Sequence, residues 1–134
     1  MIKKVLFLLT LIVATTQLNA QTRTYVITQI RDVVNGNNHS WFPAHGTIDY
    51  FRGNRFVVSV TLASGERHTL RFDNVSAPQN PSPGITRYNA TNPAGRRIII
   101  EVRREQIGSG LINNVRTSIR FLNEDRTGVD FIVN

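Results

Sequence analysis

Histidine is the first residue type with metal or proton-transfer chemistry to consider, and the sequence has three: His39, His45 and His68. His39 and His45 lie close together, but a zinc site normally needs three or four protein ligands. Asp49 completes a ligand set only if the chain folds back onto the following strand. We therefore predict ordinary loop histidines and no metal or other cofactor. His68 shares the parity of the apolar residues that follow it, which predicts a core or rim position.

Catalytic nucleophiles need a neighbouring base that a third group orients. Ser40 follows His39 directly, but adjacent residues on an extended chain point apart. Ser109 stands between Gly108 and Gly110 with no helical pattern after it, which is typical of a flexible turn rather than a phosphate-binding loop. Carboxylates that converge only in the fold remain an alternative. The candidates are Asp49, Glu101, Glu105, Glu124 and Asp125. No spacing assigns a catalytic residue, so we predict a protein that is not an enzyme.

Arginines recur on the polar face of the predicted strands. The planar guanidinium group suits phosphate, sulfate and carboxylate, so aligned arginines would form a face for an anionic partner. Acids on the same face favour the alternative, a solvated surface with ion pairs between strands. The six arginines of this predicted face are Arg67, Arg71, Arg97, Arg103, Arg116 and Arg120.

The only tryptophan, Trp41, stands beside Phe42 and between His39 and His45, within a segment, residues 35–46, that we predict to be a loop. Aromatic side chains in a loop can stack on flat or sugar-like ligands while polar neighbours orient them. These four residues are therefore the candidate ligand site. The alternative that we favour is structural: Trp41 and Phe42 plug one end of the β-structure.

The N-terminus has the order of a signal peptide: Lys3 and Lys4, then an apolar run at residues 5–13, then small residues up to Ala20. The run is shorter than the ~20 apolar residues that a membrane span requires. We predict cleavage after Ala20, export to the periplasm or beyond a bacterial cell, and one domain over residues 21–134. The chain has no cysteine, so an exported domain of this kind must be held by apolar burial and a closed hydrogen-bond network.

Strands rather than helices are predicted after the leader, because apolar residues alternate with polar ones and no segment keeps the helical spacing. The clearest example is the run from Phe56 to Leu62. One apolar face continues through the later strands and predicts a single core. The predicted core residues are Phe56, Val58, Val60, Leu62, Leu70, Phe72, Ile98, Ile100, Ile119, Phe121 and Phe131.

Turn residues separate these runs at short intervals, which favours antiparallel neighbours. A three-residue loop ending at Asn54, a residue able to take the left-handed conformation, sets Tyr50 opposite Phe56 on one face. The same reasoning pairs Leu62 with His68 across the next turn.

Irregular segments are predicted at four places. The first strand, Thr22–Val34, lacks a clean parity and should contain a bulge or a bend. Long loops are predicted at residues 35–46, 76–84 and 106–114, and loops of this length in a compact domain are often functional.

These patterns predict an all-β domain of about seven or eight strands, either a small antiparallel up-and-down β-barrel or a β-sandwich. The barrel would be lipocalin-like in architecture only, because the Gly-x-Trp signature of lipocalins is missing: His39 and Ser40 precede Trp41. We expect a binding or interaction module whose partner is a small ligand, a glycan, a protein or an anionic surface, and we expect neither nucleic acid nor a transmembrane segment. The alternatives are an enzyme with spatially convergent carboxylates or histidines, and a structural or inhibitory protein that covers a partner.

Overall fold

The computed structural model of the protein describes residues 22–108 and 114–134, so the predicted leader at residues 1–20 lies outside it. All regular secondary structure in the described ranges is β-strand. These ranges contain no helix that is long and apolar enough to cross a membrane. The strands are β1 (Thr22–Val34), β2 (Asn37–Asn38), β3 (Phe42–Phe51), β4 (Arg55–Leu62), β5 (Arg67–Asp73), β6 (Gln79–Ser82), β7 (Ile85–Thr91), β8 (Arg97–Ile107), β9 (Asn114–Leu122) and β10 (Gly128–Val133).

The strands form one antiparallel sheet that curls into a ring. Around the ring the order is β1, β3, β4, β5, β7, β8, β9 and β10, and β10 pairs back onto β1. The two short strands are side branches, since β2 pairs with β1 and β6 pairs with β7. The prediction of an all-β antiparallel fold with up-and-down order is confirmed, although the ring is not a regular barrel.

The irregularity lies between β5 and β7. These strands share a single residue pair, Asp73 with Thr91, whereas the other neighbours around the ring pair along most of their length. The chain beyond β5 continues beside β7, where the Ser76 N–H donates to the Asn89 carbonyl at 2.8 Å. The end of β7 therefore meets only the end of β5, and the rest of β5 has no neighbour on that side within the described residues.

The core fills the inside of the ring. Nine of the predicted core residues are buried there, and only Leu62 and Leu70 are partly exposed. Leu62 ends β4 at a turn, and Leu70 lies on the part of β5 that lacks a second neighbour. Outside the prediction, the core gains Tyr25, Ile27 and Ile48 among others, because both β1 and β3 turn one face inward.

The strand registers confirm one prediction and correct two details. Tyr50 pairs with Phe56 as expected, but the positive φ of that turn belongs to Gly53 rather than to Asn54. At the next turn Leu62 does not pair with His68, because the Leu62 N–H donates to the carbonyl of Glu66 at 2.8 Å. The loop is thus shorter than predicted, and the register moves by two residues without changing the face.

The predicted bulge of β1 is confirmed by a register shift between Ile27 and Gln29. The predicted long loop at residues 35–46 is wrong: Asn35 and Gly36 both have positive φ and make a two-residue hairpin turn into β2, and β3 starts at Phe42.

The other two predicted loops are also shorter than expected. The loop at residues 76–84 contains β6. In the segment 106–114, β8 extends to Ile107 and β9 starts at Asn114; residues 109–113 lie outside the description.

Candidate functional site

Large side chains fill the centre of the ring, and this decides where a ligand can bind. Phe56, Phe131 and Ile100 have no exposed surface. The ring centroid of Phe121 lies 4.6 Å from that of Phe72 and 5.9 Å from that of Phe56. In the described part of the ring this packing occupies the space of a lipocalin-type ligand chamber. Candidate sites must therefore be sought at the surface and at the ends of the ring.

The feature that stands out is the free side of β5, which we call the open seam: residues 67–72 together with the cleft beside them. The cleft has a volume of about 860 Å³. Its floor is apolar and reaches the core, because inward-facing side chains from both sides of the gap line it. These floor residues are Leu70, Phe72, Ile98, Phe121 and Val129.

The hydrogen bond across the turn before β5 indicates which backbone groups of β5 face the seam. The hydrogen bond from Leu62 to Glu66 makes them a bonded pair of the β4–β5 ladder. Bonded and non-bonded pairs alternate along an antiparallel ladder, so every second residue after Glu66 directs its backbone groups toward β4. The residues between them direct their N–H and C=O groups into the seam. These are Arg67, Thr69 and Arg71.

Two short loops form the polar rim of the seam, and their own hydrogen bonds fix them. In the first, the Asn92 side chain accepts a hydrogen bond from the Arg96 N–H at 2.9 Å. In the second, the Thr127 N–H donates to the side chains of Asn123 at 3.0 Å and Asp125 at 2.9 Å. A partner in the cleft would therefore meet a preformed rim with both basic and acidic groups.

The predicted arginine face is largely a set of ion pairs. Arg71, Arg103, Arg116 and Arg120 each contact a carboxylate, at distances from 2.9 Å for Arg120 to 3.3 Å for Arg103 and Arg116. Arg97 donates instead to the Asn89 side chain at 3.0 Å. Among the described residues, Arg67 has no carboxylate within ion-pair distance. The six arginines therefore do not present one uniform positive surface.

Five of the charged groups on the outer face form a ladder of alternating sign across five strands. Successive residue pairs join β7, β8, β9, β10 and β1 in that order. The members of this ladder are Arg87, Glu101, Arg120, Asp130 and Arg31. Alternation of this kind stabilises neighbouring strands.

Asp130 is the most deeply buried member of the ladder, at 1% exposure. Its Oδ2 accepts hydrogen bonds from Arg31 at 2.8 Å and Arg120 at 2.9 Å. Arg120 also donates to Asn38 in β2 at 3.0 Å, so the hairpin that contains β2 lies over this outward-facing arginine and buries it.

The structure separates the residues of the predicted aromatic site. Trp41 is half-buried, with the Arg31 guanidinium 4.1 Å from its ring centre, and it is not part of the core. Phe42 is 60% exposed and lines a cleft of about 250 Å³ with Ile30 and Leu62. His39 and His45 are exposed. No hydrogen bond or ring contact within residues 22–108 and 114–134 joins any two of the four.

The remaining histidine and the acids do not converge either. His68, which was predicted in the core or at its rim, is exposed beside Glu66 at 3.2 Å and is not part of the core. Asp49 accepts a hydrogen bond from Thr24 at 2.7 Å, and Glu105 pairs with Arg116. In the part of the chain that the structure covers, no group of three His, Asp or Glu side chains is placed to hold a metal ion.

The sequence did not identify the open seam, because Leu70 and Phe72 have the ordinary pattern of a core strand. The signal that was available is the proline-rich stretch after β5, with Pro78, Pro81 and Pro83. Proline cannot donate to a ladder, so this stretch is a poor continuous neighbour for β5. It is displaced beside β7 as β6 instead.

No protein family model matches the sequence, and neither a curated protein nor a solved structure shows significant similarity to the chain.

Proposed function

We propose that the protein is an exported interaction module that binds an extended segment of a partner protein as an added strand along the open seam. The observation that supports this most directly is the edge of β5 that no other described strand pairs with, beside an apolar cleft. Export rests on the predicted leader, residues 1–20.

The backbone of β5 supplies the binding groups. An exposed strand edge offers a row of unpaired N–H and C=O groups that another chain can pair with. Recognition by strand addition uses these main-chain bonds for affinity and alternate side chains for specificity. At the seam, Arg67, Thr69 and Arg71 present such groups, and the floor below them accepts every second side chain of an added strand.

The charges beside the edge indicate which strand is accepted. Arg67 and Arg71 flank Thr69 on the outward face of β5; Arg71 also contacts Asp73 at 3.0 Å, whereas Arg67 has no carboxylate within ion-pair distance among the described residues. Oppositely charged residues on adjacent strands contribute roughly 0.2–1 kcal/mol per pair, and like charges destabilise. The partner segment should therefore alternate apolar residues, which face the floor, with acidic residues, which face the arginines. The same arginines disfavour pairing with basic strands.

A peptide titration followed by NMR tests the proposal. The probes are synthetic eight-residue peptides in which valine alternates with glutamate, serine or lysine. We expect affinity in that order, with amide shifts centred on Arg67, Thr69 and Arg71. The variant Thr69→Pro removes one donor from the edge, a change that edge strands tolerate, and it should abolish binding. The control Thr69→Ala keeps the backbone donor and should bind like the natural protein.

Three outcomes contradict the proposal. The first is that none of the peptides binds at millimolar concentration. The second is that Thr69→Pro binds as well as Thr69→Ala. The third is that the protein forms dimers through two β5 edges and that the peptides do not compete with this association.

A further inference from the structure

A second pocket lies inside one end of the ring, where β1 begins and β8 and β10 end. Its volume is about 330 Å³, within the lower range of small-molecule sites. It is separate from the open seam, since the two share no lining residue. The side chains that matter for its chemistry are Arg23, Tyr25, Thr86, Tyr88, Arg104 and Thr117.

The strand pairing places both arginines on the inward face. Arg23 pairs with Tyr50, a residue packed against the core, and shares the parity of Tyr25. Arg104 pairs with Thr117 and continues the inward series of Ile100 through Val102. Arg23 is the first inward position of β1 in the described residues, and on β8 only Gln106 follows Arg104 at the same parity.

No Asp or Glu side chain of the described residues neutralises these two positive charges, and the backbone carboxyl group of Asn134, which also lines the pocket, is not within ion-pair distance of either arginine. The described residues that line the pocket include no Asp or Glu side chain, and neither Arg23 nor Arg104 forms a salt bridge within residues 22–108 and 114–134. Arginines on the outer face, such as Arg31, Arg103 and Arg120, each contact a carboxylate. The pocket therefore has two permanent positive charges that form no ion pair with the described residues.

Tyr25 adds a hydroxyl group to the pocket lining, and the hydroxyl of Tyr88 interacts with Tyr50. Burial raises the pKa of Tyr25, while Arg23 and Arg104 act in the opposite direction. Burial and the neighbouring Tyr50 raise the pKa of Tyr88 to about 12. Both phenols consequently stay protonated at neutral pH. The Arg23 guanidinium lies 4.9 Å from the ring centre of Tyr25, which restrains it at the wall of the pocket.

We infer that this pocket binds a small organic anion whose carboxylate or phosphate group lies between Arg23 and Arg104. The guanidinium groups suit both oxyanions, because their paired N–H donors match the spacing of the oxygen atoms. The rings of Tyr25 and Tyr88 and the side chain of Val102 provide an apolar wall for the body of the ligand.

Calorimetric titration with benzoate and phenyl phosphate tests this inference, with inorganic phosphate and benzyl alcohol as matched probes that lack the ring or the charge. We expect binding of at least one aromatic anion and weaker binding of both matched probes. Arg23→Gln and Arg104→Gln should each weaken binding by about tenfold or more. Arg52→Gln, which removes an exposed charge in the β3–β4 turn outside the pocket lining, should leave it unchanged. Melting temperatures of the three variants serve to confirm that they fold.

The inference is overturned if neither aromatic anion binds at millimolar concentration, or if Arg52→Gln weakens binding as much as Arg104→Gln. It is also overturned if inorganic phosphate binds as tightly as phenyl phosphate, since an adventitious ion would then account for the signal. Because Thr69 does not line the pocket, Thr69→Pro should not change anion binding, and the two proposals can fail independently.

Discussion

At the scale of single residues, the ion pair of Asp130 with Arg31 and Arg120 differs from the surface pairs around it. A buried pair that loses one partner leaves an uncompensated charge, which costs roughly 3–5 kcal/mol. An exposed pair contributes at most about 1 kcal/mol. Burial, rather than the presence of a pair, thus identifies the arginines that hold the ring together.

The first prediction compares two aspartates on this basis. Asp130→Ala should lower the free energy of unfolding by roughly 3–5 kcal/mol, because Asp130 is 1% exposed and Arg120 would stay buried without its partner. Asp73→Ala removes a partner of Arg55 and Arg71, and its side chain is 29% exposed, so the loss should stay below about 1 kcal/mol. Urea denaturation measures both, and equal losses would contradict the assignment.

The second prediction concerns Tyr88 at alkaline pH. Its pKa is about 12 in the folded protein and 10.0 for an unperturbed tyrosine. Between these values the unfolded chain has released the proton and the folded protein has kept it. The folded state therefore loses stability as pH rises from about 10 to 12. Tyr88→Phe should flatten this pH dependence in thermal melts. An unchanged slope would show that Tyr88 ionises normally.

At the scale of elements, two positions with positive φ require glycine for different physical reasons. Gly46 in β3 has a φ of 151°, and a Cβ there would overlap the carbonyl group of Ser59 in β4. Gly53 in the β3–β4 turn has a φ of 70° and open space around it. Gly46 is needed because two strands approach each other closely there, whereas Gly53 is needed only for its backbone conformation.

The third prediction follows from this difference. Gly53→Ala should cost about 1–2 kcal/mol, the strain of a left-handed residue. Gly46→Ala should cost more than Gly53→Ala, because β3 and β4 must also separate. Chemical denaturation compares the two variants directly. If Gly46→Ala is the milder change, the pairing of Gly46 with Val60 is not as described.

The elements themselves were largely predictable, because period-two alternation marks a half-buried strand wherever one face is apolar. The face of β4, β5, β8, β9 and β10 followed from that alternation alone. The register was less predictable, because loops that differ by two residues leave the same side chains on the inner face. Leu62 was therefore predicted opposite His68 and lies opposite Glu66. The irregularity of β1 was predicted because its apolar residues keep no clean parity, and its position between Ile27 and Gln29 came only from the structure.

At the scale of the whole molecule, the closure of the ring could not be read from the sequence. Whether β10 meets β1, and whether β7 covers β5, depends on how far each strand is displaced along its neighbour. The alternation of apolar and polar residues does not indicate that displacement. The inward position of Arg104 was missed for a related reason. Arg104 continues the alternation of Ile98, Ile100 and Val102, but a charged residue at that point is typical of a strand end that faces solvent.

The central claim is that the seam side of β5 is an unpaired edge that a partner strand completes. Residue-resolved amide hydrogen exchange tests it in the free protein and with the alternating valine–glutamate peptide. In the free protein the amides of His68, Leu70 and Phe72 should exchange slowly, and those of Arg67, Thr69 and Arg71 should exchange rapidly. The peptide should slow the second set and leave the first unchanged. Uniform protection along β5 in the free protein, or no change in the second set with peptide at saturation, would contradict the claim.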